Sequence, residues 1–221
     1  MCSRYSLTSP AEAVRATFGL AAIDDFPPRY NIAPSQPVAI IRTGTNGARE
    51  FALVRWGLIP SWVKDPRTFT MIINARAESA LEKPSFRNAM KYRRCLVPAD
   101  GFYEWTGPVG NKQPHLIRPK SNAPIAFAGL WEHWMGADGS EMESMSIVTT
   151  EPNATVATIH DRMPVILAAS DYDAWLDARG VTAQEAHALL KPAPDDLLVT
   201  YPVNRAVSNS RNEGAHLQNP A

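Results

Sequence analysis

The chain has 221 residues, 45% of them apolar, two cysteines, five histidines and a formal net charge of zero. No run of eighteen apolar residues occurs, which excludes a long membrane-spanning helix. The balanced charge excludes a uniform polycation, although residues 1–120 carry 17 Lys+Arg against 9 Asp+Glu and residues 121–221 carry 5 against 13. That asymmetry gives either a basic face suited to phosphates or two halves that attract each other.

In chain order, Ser9-Pro10 predicts a helix to about Phe18, with Ser as cap and Pro at the first position. Residues 25–37 are rich in Pro, Asn and Ser and read as loop. Residues 38–42 and 51–55 read as strands around a Gly/Asn turn. Residues 56–72, with Trp56, Pro60, Trp62 and Pro66, read as an irregular loop with exposed aromatics. Pro84 opens a short helix to Arg93. Strands follow over 94–105 around Asp100-Gly101, then over 116–118, 125–131 and 146–150. Ser170 is expected to cap a helix carrying Tyr172, Trp175 and Leu176. Thr182-x-x-Glu185 predicts a capping box for another. A last strand over 197–201 precedes a polar tail. Short strands dominate without a βαβ repeat, so the expectation is α+β: a single domain, 1–221, with a mixed, barrel-like β-sheet and peripheral helices.

Cys2 and Cys95 are far apart and no apolar leader is visible, so a disulfide is not expected and the expected location is the cytoplasm. Two cysteines and scattered histidines give no metal-ligand spacing, so no metal or cofactor is expected. Cys95 sits in an apolar strand and reads as core.

Cys2 differs by position. Aminopeptidases remove Met1 before a small second residue, which would leave an α-amine and a thiol on adjacent carbons. An amine condenses with an aldehyde to an imine, and the neighbouring thiol can close a thiazolidine ring on it. An α-amine is roughly a tenth neutral at pH 7, about two orders of magnitude more than a lysine.

Other segments give this position a context: Met1-Cys2-Ser3-Arg4-Tyr5, then Arg29-Tyr30-Asn31-Ile32-Ala33-Pro34, Trp56-Gly57-Leu58-Ile59-Pro60-Ser61-Trp62 and Asn74-Ala75-Arg76-Ala77-Glu78. Pro98-Ala99-Asp100-Gly101-Phe102-Tyr103-Glu104-Trp105, Ile159-His160-Asp161-Arg162-Met163-Pro164 and a closing Val203-Asn204-x5-Asn209 complete the series. In this order they resemble the SOS-response-associated peptidase (SRAP) family of abasic-site DNA–protein crosslinkers, from Cys2 to about Pro220. Ser3 departs from the family's usual Gly.

The resemblance implies an abasic site in single-stranded DNA as partner and Cys2 as nucleophile. In a bacterial chain it also implies work at the nucleoid or replication fork. Glu104 matches the family's acid, which would protonate the ring oxygen of a closed sugar; apolar neighbours would raise its pKa. Asn74 can hold an amine or a developing oxyanion without protonating it. His160 can shuttle a proton near pH 7. Arg4, Arg76 and Arg162 can each grip a phosphate by two hydrogen bonds. Trp62 and Trp105 can stack on bases, and Lys83 with Arg87 can extend the basic track. Asn31, Pro34 and Thr149 complete the DNA contacts that the resemblance implies. Two rivals remain at this level: a thiol peptidase using Cys2 and His160, and a non-covalent single-strand binding module.

Overall fold

Five strands from the middle of the chain close on themselves. In chain order the elements are β1 (Tyr5–Leu7), α1 (Ala11–Phe18), β2 (Arg29–Ile32), β3 (Pro37–Thr43), β4 (Arg49–Trp56) and β5 (Asn74–Arg76). There follow α2 (Arg87–Tyr92), β6 (Arg94–Ala99), β7 (Gly101–Thr106), β8 (Gln113–Pro119), β9 (Ile125–Met135) and β10 (Glu141–Thr150). The last are α3 (Ala154–Ala157), β11 (Met163–Pro164), β12 (Ile166–Leu167), α4 (Tyr172–Leu176), α5 (Ala183–His187) and β13 (Leu198–Pro202). These come from a computed structural model, which describes residues 2–221.

Strand β3 pairs with β4 and β6, β6 with β9, β9 with β10, and β10 with β4, so the ring β3-β4-β10-β9-β6 is complete. The β10–β4 pairing is parallel and the others are antiparallel, which makes the barrel mixed. Closure removes edges that would otherwise carry unpaired backbone groups. A second sheet, in the order β13-β8-β7-β1-β2, packs beside it. One core joins the two: Tyr5 of β1 lies edge-on to Trp56 (5.2 Å) and to Phe127 (5.9 Å), and Phe102 of β7 also meets Phe127. The helices lie outside the barrel, so the α+β, barrel-like expectation holds.

Several local expectations hold and several fail for identifiable reasons. The Thr182–Glu185 capping box forms in both directions. Helix α1 buries Ala11, Val14 and Phe18 and ends at Gly19 in the left-handed region. Its start is not capped by Ser9, whose backbone N–H and hydroxyl both donate to the Asp100 carboxylate. Ser170 likewise makes no cap for α4. Residues 29–32 form β2 inside the stretch read as loop, because pairing with β1 overrides composition. Trp56 is buried at the end of β4, whereas Trp62 is 56% exposed. Gly57 follows at φ +132°, where a Cβ would lie 2.6 Å from the Met71 sulfur, so only glycine fits that turn. The polar tail is ordered: Val207 and Leu217 are buried with Tyr103, Leu116 and Val203.

Candidate active site

The site forms where the two sheets meet. Tyr5 opens β1 and is buried in the core, while Arg4, just before the strand, lines a surface cleft. The Arg4 carbonyl accepts from the Tyr103 N–H, which fixes the chain's first residues beside β7 and hence beside Glu104. On the barrel side, short β5 adds to β10 in parallel register, with Ile147 opposite Asn74 and Thr149 opposite Arg76. Asn74 Nδ2 donates to the Cys2 carbonyl at 2.8 Å and so ties the N-terminal segment to the barrel. His160 follows α3, just before β11, and its Nε2 lies 3.8 Å from Glu104 Oε2. The four residues read as catalytic, Cys2, Asn74, Glu104 and His160, are thus brought to one junction.

Electrostatics differ within this group. Glu104 is 3% exposed, and burial lifts its carboxyl from an ordinary 4.5 to about 7. The nearby Asp161 charge pushes in the same direction. His160 is shifted down, chiefly by burial, so its imidazole favours the neutral form. Its Nδ1 accepts from the Arg162 N–H at 3.0 Å and lies 2.9 Å from Asp161 Oδ1. The first contact needs Nδ1 without a proton and the second needs Nδ1–H, so the surroundings accommodate more than one proton arrangement of the ring. Cys2 is fully buried, and burial, then the Glu104 charge, pushes its thiol well up. Asn74 Oδ1 is buried with no hydrogen-bond partner among the described residues, and so is an acceptor held ready.

Above this junction lies a cleft of about 670 Å³, lined by Ser3, Arg4, Glu104, Trp105, Lys112 and His160, with Arg205 and Ser208 on its far wall. Arg4 is held by Asn31 Oδ1 (2.7 Å) and the Val207 carbonyl (2.8 Å), with its guanidinium carbon 5.8 Å from the Trp105 ring centre. Trp105 Nε1 donates to Ser208 Oγ at 3.0 Å.

The residues read as DNA contacts are not all placed alike. Asn31 is fully buried, and its amide also donates to the Asn209 and Asn212 carbonyls, so it supports Arg4 from behind. Thr149 is fully buried too. Arg162 is engaged by Glu78 through two hydrogen bonds of 2.5 and 2.9 Å and donates to the Thr149 carbonyl. Its phosphate-binding fork is therefore already occupied by a carboxylate. Arg76 and Lys83 are exposed, Pro34 is half-buried in the turn after β2, and Trp62 stands edge-on to Phe69 at 5.8 Å. Sequence reasoning missed Lys112 and Arg205. Lys112 lies in no motif and Arg205 stands at an unspecified position of the Val203-Asn204-x5-Asn209 stretch, and only folding sets the β7–β8 turn against the C-terminal segment.

Residues 1–210 match the family described as SOS response associated peptidase (SRAP). The chain is 40% identical over 222 residues to "Abasic site processing protein YoaM" of Bacillus subtilis, covering 98% of this chain and 97% of that protein. It is 34% identical to "Abasic site processing protein HMCES" of Xenopus tropicalis, over 86% of this chain and 65% of that longer protein. A crystal structure of a protein from Bacteroides thetaiotaomicron superposes with a TM-score of 0.87 at 29% identity, each chain covered in full.

Proposed function

Since the chain belongs to the SOS response associated peptidase family, we propose that it processes abasic sites in single-stranded DNA by capturing the opened sugar covalently on Cys2. The observation that carries this reading is the junction itself. Asn74 holds the Cys2 carbonyl at 2.8 Å beside a buried acid whose pKa is about 7. An acid with that pKa is about half protonated at neutral pH and can both give and take a proton there.

Glu104 protonates the ring oxygen of the closed sugar as the anomeric hydroxyl gives up its proton, which opens the ring to an aldehyde and a hydroxyl group. With Met1 removed, the Cys2 α-amine adds to the aldehyde carbon, and loss of one water leaves an imine. The Cys2 sulfur then adds to the imine carbon. The thiol proton passes to the nitrogen, with His160 and Glu104 within reach as carriers, and a thiazolidine ring results. Met1 lies outside the described residues, so its removal belongs to the proposal. Asn74, with its unpartnered acceptor, orients the amine.

The peptidase alternative needs a thiolate poised by an imidazole. Here the resting thiol is driven toward its neutral form and donates to the Arg4 carbonyl, with sulfur and oxygen 3.9 Å apart. A neutral thiol suits late ring closure better than first attack on an amide. Incubation with a single strand carrying one abasic site, followed by denaturation and a gel, should show an adduct that survives without reductant. A tetrahydrofuran analogue, which cannot open, should bind without crosslinking. Absence of any adduct despite tight binding would leave a passive binding module, and cleavage of a supplied protein without an adduct would leave the peptidase.

A further inference from the structure

We propose that Lys112 and Arg205 together form an anion-binding rim on the cleft, gripping a phosphodiester that flanks the abasic sugar. This rests on the proposed function for the identity of the strand, but the argument for an anion comes from the cleft alone.

The two cations reach the cleft from segments 93 residues apart. Lys112 ends the turn between β7 and β8, whose strands set Glu104 opposite His115 and Thr106 opposite Gln113. The turn is fixed by Gly107 at φ +92° and by the Asn111 N–H donating to the Pro108 carbonyl. Arg205 opens a short 3-10 turn, Arg205–Ser208, capped by Asn204, whose side chain accepts from the Ala206 N–H. The two walls are stitched together: Arg205 Nη1 donates to Asn111 Oδ1 at 2.6 Å and its Nε to Gln113 Oε1 at 3.3 Å. These partners are neutral, so they orient the guanidinium without cancelling its charge.

Neither Lys112 nor Arg205 makes a salt bridge with a carboxylate among the described residues, and Arg4 makes none either. The carboxylate lining this cleft is Glu104, which burial keeps partly protonated near pH 7. Lys112 is close enough to depress the pKa of both Glu104 and His160. A cleft with three cations outside any salt bridge, a partly neutral acid and an indole wall attracts a polyanionic strand, with Asp161 beside His160 as the opposing charge. With the sugar at the Cys2 junction, the rim stands where a neighbouring phosphate would pass.

The test uses fluorescence anisotropy with a labelled single strand carrying the tetrahydrofuran analogue, so that chemistry does not intervene. Lys112→Met with Arg205→Met should weaken binding at least about threefold at moderate salt and reduce the log–log salt slope by about 0.7, the value for one phosphate contact on a single strand. Lys112→Arg with Arg205→Lys keeps both charges and should restore the slope. Arg179→Gln, an exposed cation far from this cleft, should leave affinity and slope unchanged. Wild-type affinity and slope in the Met pair would overturn the rim. So would an equal loss in Arg179→Gln, which would reduce the effect to net charge. Both positions are exposed; should the Met pair lose its circular-dichroism spectrum, Lys112→Met alone decides, with a slope change expected in the same direction. Wild-type crosslinking of a true abasic strand is measured in parallel. A strand that binds through the rim but never crosslinks would sink the covalent reading and spare the rim; crosslinking with an unchanged Met pair would do the reverse.

Discussion

The surface carries two clefts of similar size that both set arginine beside tryptophan, yet those two arginines differ in their partners, neutral groups for Arg4 and two carboxylates for Arg42. In the cleft above Cys2, of about 670 Å³, Arg4 and Arg205 are held by neutral partners and Lys112 makes no salt bridge among the described residues. In the other, of about 710 Å³, Arg42 lies 4.3 Å over the Trp131 ring and is clamped at 2.6 Å by both Glu50 and Glu143. Arg49 there is paired with Asp173, and Arg94 donates to four backbone carbonyls. The lesson is that residue type does not make an anion site. A paired arginine must first give up its carboxylate, whereas an oriented, uncompensated one meets a phosphate directly. The same contrast resolves the charge asymmetry of the sequence. Arg42–Glu143, Arg49–Asp173 and Arg93–Glu132 join the basic first half to the acidic second, so part of the asymmetry holds the halves together.

The comparison breaks most sharply at the two cysteines. Both are fully buried and both thiols are pushed up by burial. They differ in that Cys2 can carry a free α-amine. Cys2→Ala should lose the denaturation-stable adduct completely and leave at most a transient imine, while Cys95→Ala should crosslink as wild type does. A stable adduct from Cys2→Ala without reductant would assign the nucleophile elsewhere.

Next in size are the groups around Cys2. Asn74→Ala and His160→Ala should slow crosslinking by roughly 10²–10⁴ if they act in the chemical step. The acid adds a pH signature. In the proposed reaction Glu104 gives the proton that opens the sugar, and its pKa is about 7, so the opening rate should fall about tenfold per pH unit above that value. Glu104→Gln should be slow and flat over the same range while still binding the strand. Stability should move as well. Glu104 titrates near 7 when folded and near 4.5 when not, so the folded state holds a proton that the unfolded state has lost between those values. Wild type should therefore lose stability as pH rises from 4.5 to 7. The Gln variant should melt higher than wild type at pH 8, with the gap closing at pH 5. Parallel melting curves at both pH values would make Glu104 an ordinary surface-like carboxylate.

How much of this the sequence discloses depends on the range of the interaction. The capping box at Thr182–Glu185 joins residues three apart and reads correctly. The barrel strands are found where apolar runs mark them, as in residues 125–131, but β9 continues to Met135 and β10 starts at Glu141, where the composition turns polar. Ser9 and Ser170 mislead because a hydroxyl near a helix start has other partners available; for Ser9 it is Asp100, 91 residues away. Segment 29–32 looks like loop by composition and becomes a strand through β1. Within the site, Cys2, Asn74, Glu104 and His160 stand out by their motifs. The tie between Arg162 and Glu78, and the placing of Lys112 and Arg205 on one cleft, are long-range and are set only by the fold.

The smallest effect belongs to the second cleft, and it tests whether compensation is the deciding variable. Arg42→Gln removes a cation that is only 17% exposed, together with its contact on Trp131 and its links to Glu50 and Glu143. Each link is partly solvated, since the carboxylate side chains are 45% and 30% exposed, so the loss should be about 1 kcal/mol of stability. For a chain of this length that corresponds to a fall in Tm of roughly 2–4 °C. Strand affinity and salt slope should not change, because this arginine's charge is already answered. Glu143→Gln extends the test: it removes one answering charge and leaves Arg42 with Glu50, so strand binding should still be confined to the cleft above Cys2. A loss of strand affinity in Arg42→Gln with little change in Tm would show that a paired arginine can serve DNA as readily as an unpaired one, and the distinction between the two clefts would fall.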